Sequence, residues 1–107
     1  MKSKTVHVGK IPIGANHPVI FITGPCQIEN RDHAMMMAEK LAKIFSKIDV
    51  HFIFKSSYDK ANRSSISSAR GVGIQEGLRV LDDIAKTFGC PVTTDVHEPA
   101  QCKTIAE

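Results

Sequence analysis

Val50-His51-Phe52-Ile53-Phe54-Lys55-Ser56-Ser57-Tyr58-Asp59-Lys60-Ala61-Asn62-Arg63-Ser64-Ser65 passes within one residue from an apolar run to a densely polar one. The first part, Val50 to Phe54, reads as a strand buried on both faces, the pattern of a parallel sheet packed between layers. The eleven residues from Lys55 to Ser65 hold three cations, one amide and four serine hydroxyls. A core does not take that composition. Lysine supplies a point charge, arginine a planar fork for phosphate or carboxylate, and serine a short hydroxyl donor. The run therefore reads as a site for a small, multiply anionic molecule, set against the plainer alternative of a polar connection.

The segments on either side place this run in a repeating order. Val6 to Ile13, interrupted by Gly9-Lys10, has the alternation of a short hairpin. Val19 to Ile22 is a continuous apolar run and reads as a first buried strand, broken by Gly24-Pro25. Asn30 is placed to cap a helix over 31–47, with Asp32 near its positive end. Ala34, Met37, Ala38, Leu41, Ile44, Phe45 and Ile48 recur along it at helical spacing. Met35-Met36-Met37 lies within that helix and reads as adaptable packing, not as a metal or cofactor motif. Ile74, Leu78, Leu81, Ile84, Ala85 and Phe88 mark a second helix, stopped by Gly89. Pro91 to Asp95 forms a third, shorter strand, and a third helix starts near Ala100.

A hairpin followed by β-α-β-α-β-α specifies an α/β fold with a parallel sheet. Both a doubly wound sheet and a (β/α)8 barrel remain open at this point, and both place their chemistry at the carboxyl ends of the strands. Gly24-Pro25-Cys26-Gln27, the run from Lys55 and the segment Asp95 to Glu98 each follow a strand. All three are expected on one face of the molecule.

The bulk numbers narrow the function. The chain has 107 residues, 42% hydrophobic and 23% charged, as expected for one small globular domain. Between Lys55 and Arg70 four cations meet one anion, so this segment holds the whole net charge of +3. A nucleic-acid binder spreads basic groups over a face and interleaves aromatics. This chain has no Trp and a single Tyr, so the partner expected is a small anion and not a nucleic acid. Cys26, Cys90 and Cys102 show no paired spacing, which points to a reducing, cytoplasmic setting. No signal segment is legible at the start, and no stretch reaches the ~20 apolar residues of a bilayer span.

Phe54-Lys55-Ser56-Ser57-Tyr58-Asp59-Lys60-Ala61-Asn62-Arg63-Ser64-Ser65-Ile66, with Arg70-Gly71 and Thr94-Asp95-Val96-His97-Glu98, closely resembles the 3-deoxy-D-manno-octulosonate 8-phosphate synthase family. The resemblance extends over essentially the whole chain. A related synthase, which makes the first shikimate-pathway intermediate, has a Lys-Pro-Arg-Thr string in place of Lys-Ala-Asn-Arg-Ser-Ser. The resemblance implies condensation of phosphoenolpyruvate with arabinose 5-phosphate in lipopolysaccharide biosynthesis. It implies the N-terminal hairpin (1–17) and first three βα units (18–107) of a TIM barrel, and a homotetramer for the full-length family. By similarity Lys55 and Lys60 hold phosphoenolpyruvate, Asn62 bonds hydroxyls of the sugar, Arg63 and Ser64 bind its phosphate, and Asp95 orients it. Cys26, which composition alone reads as a small buried hydrophobe, is implied as a ligand of a divalent transition metal: zinc, iron or manganese. Cys90 and Cys102 read as structural. His97 either lines the pocket or hydrogen-bonds its loop.

Length is where the chain departs from that family, since a complete barrel takes about 250 residues. The remaining metal ligands, expected from later strands, are absent here, and a catalytic metal site ordinarily needs three protein ligands. Two expectations stand side by side. One is the N-terminal part of a metal-dependent synthase; the other is a truncated or split-gene product, or pseudogene, with no activity of its own. A third, a small phosphate-binding module, requires self-association to cover its open edges.

Overall fold

Alternating residues on both sides of Gly9-Lys10 produce the expected hairpin: β1 (Val6–Val8) and β2 (Ile11–Ile13) pair antiparallel, with Val6 opposite Ile13. After it come β3 (Phe21–Thr23), α1 (Arg31–Ile48), β4 (Phe52–Lys55), α2 (Ile74–Phe88), β5 (Val92–Thr93) and α3 (Gln101–Ala106). The structure, a computed structural model, describes residues 3–59 and 71–107. Lys60, Asn62, Arg63 and Ser64 lie outside the described residues.

Strands β3, β4 and β5 form one parallel sheet in that order, with Phe21 opposite Phe52 and Phe54 opposite Val92. The chain is thus α/β, and among the described residues the sheet has three strands and does not close into a barrel. Helix α1 is capped by Asn30, whose backbone is extended (φ −158°) and whose side-chain oxygen accepts the His33 N–H at 2.8 Å, as capping requires. Asp49 caps its C-terminus in the left-handed region, and Gly89 caps α2 in the same conformation.

Helices α1 and α2 pack on β4, the central strand, through Ala34, Ala38, Phe45, Val80, Leu81 and Ile84, all buried. Phe45 stacks on Phe52 with ring centroids 4.9 Å apart and meets Phe21 at 5.4 Å, so one α1 side chain ties two strands together. An Arg31–Asp83 ion pair at 2.6 Å joins the two helices at their surface. Met35 packs against the core while Met36 is exposed, so the methionine run straddles the edge of the apolar stripe.

Two readings of burial need correction. Val19 to Ile22 was expected to be buried on both faces, yet Val19, Phe21 and Ile22 are 67%, 46% and 56% exposed. The physical reason is position: among the described residues β3 is an edge strand, with β4 on one side and Phe45 of α1 against it. Ile44 and Ile48, expected in the α1 stripe, are also more than half exposed. Among the described residues no helix is long and apolar enough to cross a membrane.

Candidate functional site

Beyond the last β3–β4 pair, Thr23 opposite Phe54, the two chains come unusually close. A Cβ on Gly24 would overlap the Lys55 carbonyl oxygen, so only glycine fits there. The Pro25 carbonyl then accepts the Ser56 hydroxyl at 2.7 Å, and the Cys26 carbonyl accepts the Ser57 N–H at 3.2 Å. Ser57 returns its own carbonyl to the Ile28 N–H at 2.8 Å. On the other side of β4 the Ser56 N–H donates to the Thr93 carbonyl at 3.4 Å. The segment Lys55-Ser56-Ser57 is therefore held by the ends of both neighbouring strands.

That lacing corrects the reading of the polar run. Four serine hydroxyls counted as anion donors in the sequence, but Ser56 and Ser57 are buried. Ser56 Oγ is committed to Pro25, and Ser57 Oγ donates to the Asp59 carbonyl at 2.6 Å. Both shape the loop; neither is turned to a ligand. Lys55, at the end of β4, is exposed. Cys26 is exposed too, and Asp95, two residues past β5, is half-buried. Cys26, Lys55 and Asp95 thus follow three adjacent parallel strands at one end of the sheet.

Among the described residues no three His, Cys, Asp or Glu side chains cluster as a metal site. The described residues therefore do not fit a complete metal centre, and Cys26 is an exposed free thiol. Cys90 is buried at the entry to β5, where burial pushes its thiol up from the ordinary 9.0. Cys102 was read as structural, but it is exposed on α3. His97 sets its ring edge against Tyr58, with centroids 5.5 Å apart and planes at 73°. Its backbone N–H donates to Gln101 Oε1 at 2.8 Å.

Two residues escaped the sequence reading. Gln27, 3% exposed, has neither Oε1 nor Nε2 hydrogen-bonded among the described residues. A buried amide so placed costs free energy on the order of 1–3 kcal/mol per unsatisfied group. No periodicity signals it; the polar Gly24-Pro25-Cys26-Gln27 motif was the sole hint. Gln101, the first residue of α3, gathers three donors on one oxygen, and no spacing in the sequence signals it. A cavity of about 770 Å³ lies at the opposite, amino end of the strands, lined by Ile11, Phe45, Phe52 and Pro91 among others. It shares no residue with the polar segments, and in parallel α/β folds that end serves stability.

A parallel α/β unit with its polar segments gathered past the carboxyl ends of adjacent strands defines the class: an enzyme-type α/β fold. Residues 2–107 match the DAHP synthetase I family, and the chain belongs to that family. It is 53% identical over 104 residues to the 2-dehydro-3-deoxyphosphooctonate aldolase of Rickettsia rickettsii (strain Sheila Smith), 97% of this chain and 38% of that protein. The aldolase of the same name from Rickettsia canadensis (strain McKiel) is 54% identical over 103 residues, 96% of this chain and 38% of its own length. That of Rickettsia typhi (strain ATCC VR-144 / Wilmington) is 49% identical over 104 residues, with coverages of 97% and 38%. The chain thus spans 38% of the length of the curated relatives it matches. The family resemblance drawn from the polar strings is borne out.

Proposed function

We propose that this chain carries the N-terminal part of a 3-deoxy-D-manno-octulosonate 8-phosphate synthase. The observation that carries the reading is the 53% identity over 104 residues to a 2-dehydro-3-deoxyphosphooctonate aldolase. Residues 1–17 are its hairpin and 18–107 the first three βα units of a TIM barrel, working in the cytoplasm within a homotetramer. The reaction joins C3 of phosphoenolpyruvate to the aldehyde of arabinose 5-phosphate, while water attacks C2 and inorganic phosphate leaves.

The roles follow from the family resemblance, and the charges suit them. Lys55, with Lys60, neutralises the carboxylate and phosphate of phosphoenolpyruvate. Asn62 bonds the sugar hydroxyls, Arg63 and Ser64 take its phosphate, and Asp95 orients it toward the carbon that forms the bond. Lys55 ends β4 and Asp95 lies two residues past β5, the adjacent strand, so the gain is mainly positional. Cys26 is the residue that the resemblance offers as a donor to a divalent transition metal.

The absence of a three-donor cluster among the described residues favours a second reading: the chain has no turnover of its own, and its residues act only within a longer protein. Phosphate release from phosphoenolpyruvate decides between the two, measured with and without arabinose 5-phosphate and with and without divalent metal. Release that depends on the sugar and is lost to a chelator is the expected result for the synthase. Binding of both substrates without release supports the second reading. Phosphate release indifferent to the sugar sinks both.

A further inference from the structure

Tyr58 is 1% exposed yet carries a hydroxyl, and a buried phenol needs an acceptor. Its O–H donates to Oε1 of Gln101 at 2.5 Å, across 43 residues of chain. The same oxygen accepts the His97 N–H at 2.8 Å and the Glu98 N–H at 3.3 Å. The Gln101 N–H in turn donates to the Glu98 carbonyl at 3.0 Å, closing a turn just before α3. Tyr58 itself cannot drift. A Cβ on Gly77 of α2 would overlap the Tyr58 Cβ, and the Gly73 N–H holds the Tyr58 carbonyl at 3.0 Å. Burial, with Asp95, Asp59, Cys102 and Glu98 nearby, keeps the phenol above its ordinary 10.0, so it remains a donor.

Tyr58 stands three residues past Lys55, and His97 two past Asp95. We propose that Gln101 is a positioning residue, its side-chain oxygen clamping the Thr94–Glu98 loop to Tyr58 and so fixing Asp95 relative to Lys55. The clamp works by geometry: one carbonyl oxygen gathers donors from the β4 extension and from the β5–α3 loop. The inference rests on the roles proposed for Asp95 and Lys55, with Asp95 serving the sugar.

Three variants of the 107-residue chain test it. Tyr58→Phe removes the hydroxyl and keeps the ring, Gln101→Met keeps the length and removes the acceptor, and Gln101→Glu keeps an acceptor oxygen. Hydrogen exchange at the His97 and Glu98 amides is read together with titrations of arabinose 5-phosphate and phosphoenolpyruvate. Gln101→Met is expected to speed exchange and weaken the sugar phosphate about ten-fold, the loss of one to two hydrogen bonds. Phosphoenolpyruvate affinity stays within about two-fold, since Lys55 is held by β4 itself. Gln101→Glu restores both readouts, and Tyr58→Phe repeats the sugar-selective loss. Unchanged exchange in Gln101→Met, or equal weakening of the two ligands, overturns the proposal. If the native chain binds neither ligand while exchange still rises and is rescued, the clamp stands and the substrate reading falls.

Discussion

Burial decides what individual side chains do here more than their type does. Ser56 and Ser57, which look like ligand groups on paper, tie backbone, while Lys55 next to them is exposed. Cys90 and Tyr58 follow the same logic. Burial raises the Cys90 thiol above 9.0 and the Tyr58 phenol above 10.0, so each is held neutral in the fold. With folded values raised, their contribution is complete below those ordinary values and is lost as pH rises through the folded ones. Denaturant midpoints are therefore expected to stay flat with respect to these groups up to about pH 9 and to fall beyond pH 10. Tyr58→Phe should flatten that alkaline fall. An identical fall in the variant would remove Tyr58 from the account.

At the scale of elements, the polar ends are built by close approach. Gly24 brings β3 against β4, and Gly77 brings α2 against Tyr58. Gly77→Ala sets two effects against each other. Helix propensity alone favours alanine by about 1 kcal/mol. Forcing its Cβ into the Tyr58 Cβ is overpacking, which costs about 1–3 kcal/mol. The clash is with the root of the ring and cannot be relieved by a rotamer, so overpacking wins. Thermal unfolding of Gly77→Ala should show a net loss of about 1 kcal/mol, and a gain in stability would mean that α2 can shift away from Tyr58. Helix limits were the most legible feature of this scale. Asn30 and Gly89 are caps whose chemistry is local, so neighbours cannot override it. Strand limits were less so, because a strand ends where its partner does: β4 runs Phe52–Lys55 and not Val50–Phe54.

For the molecule as a whole, the open side of β3 is the dominant physical feature. Phe21 and Ile22 lie exposed on β3 and Val19 just before it, and among the described residues β3 is an edge strand whose open side and apolar surface favour association. Sedimentation velocity across a concentration series is expected to show self-association of the chain. Ile22→Lys, a charge on that edge, should reduce it without altering the circular-dichroism spectrum. A native chain that stays monomeric throughout would show that the edge is shielded. The site obeys the same global logic, since Cys26, Lys55 and Asp95 share an end only because three strands run parallel in sequence order.

Read alone, the chain determined the α/β class, the order of its elements, the helix caps and the segments that carry its chemistry. Those are written in local spacing, capping residues and composition, and the Lys-Ala-Asn-Arg-Ser-Ser string adds the family. Only the tertiary structure decided that the first parallel strand lies exposed at an edge and that two of the serines serve the backbone. It also decided that Gln101 binds Tyr58. Each of these depends on which residues far apart in sequence come to lie side by side, and no local pattern encodes that.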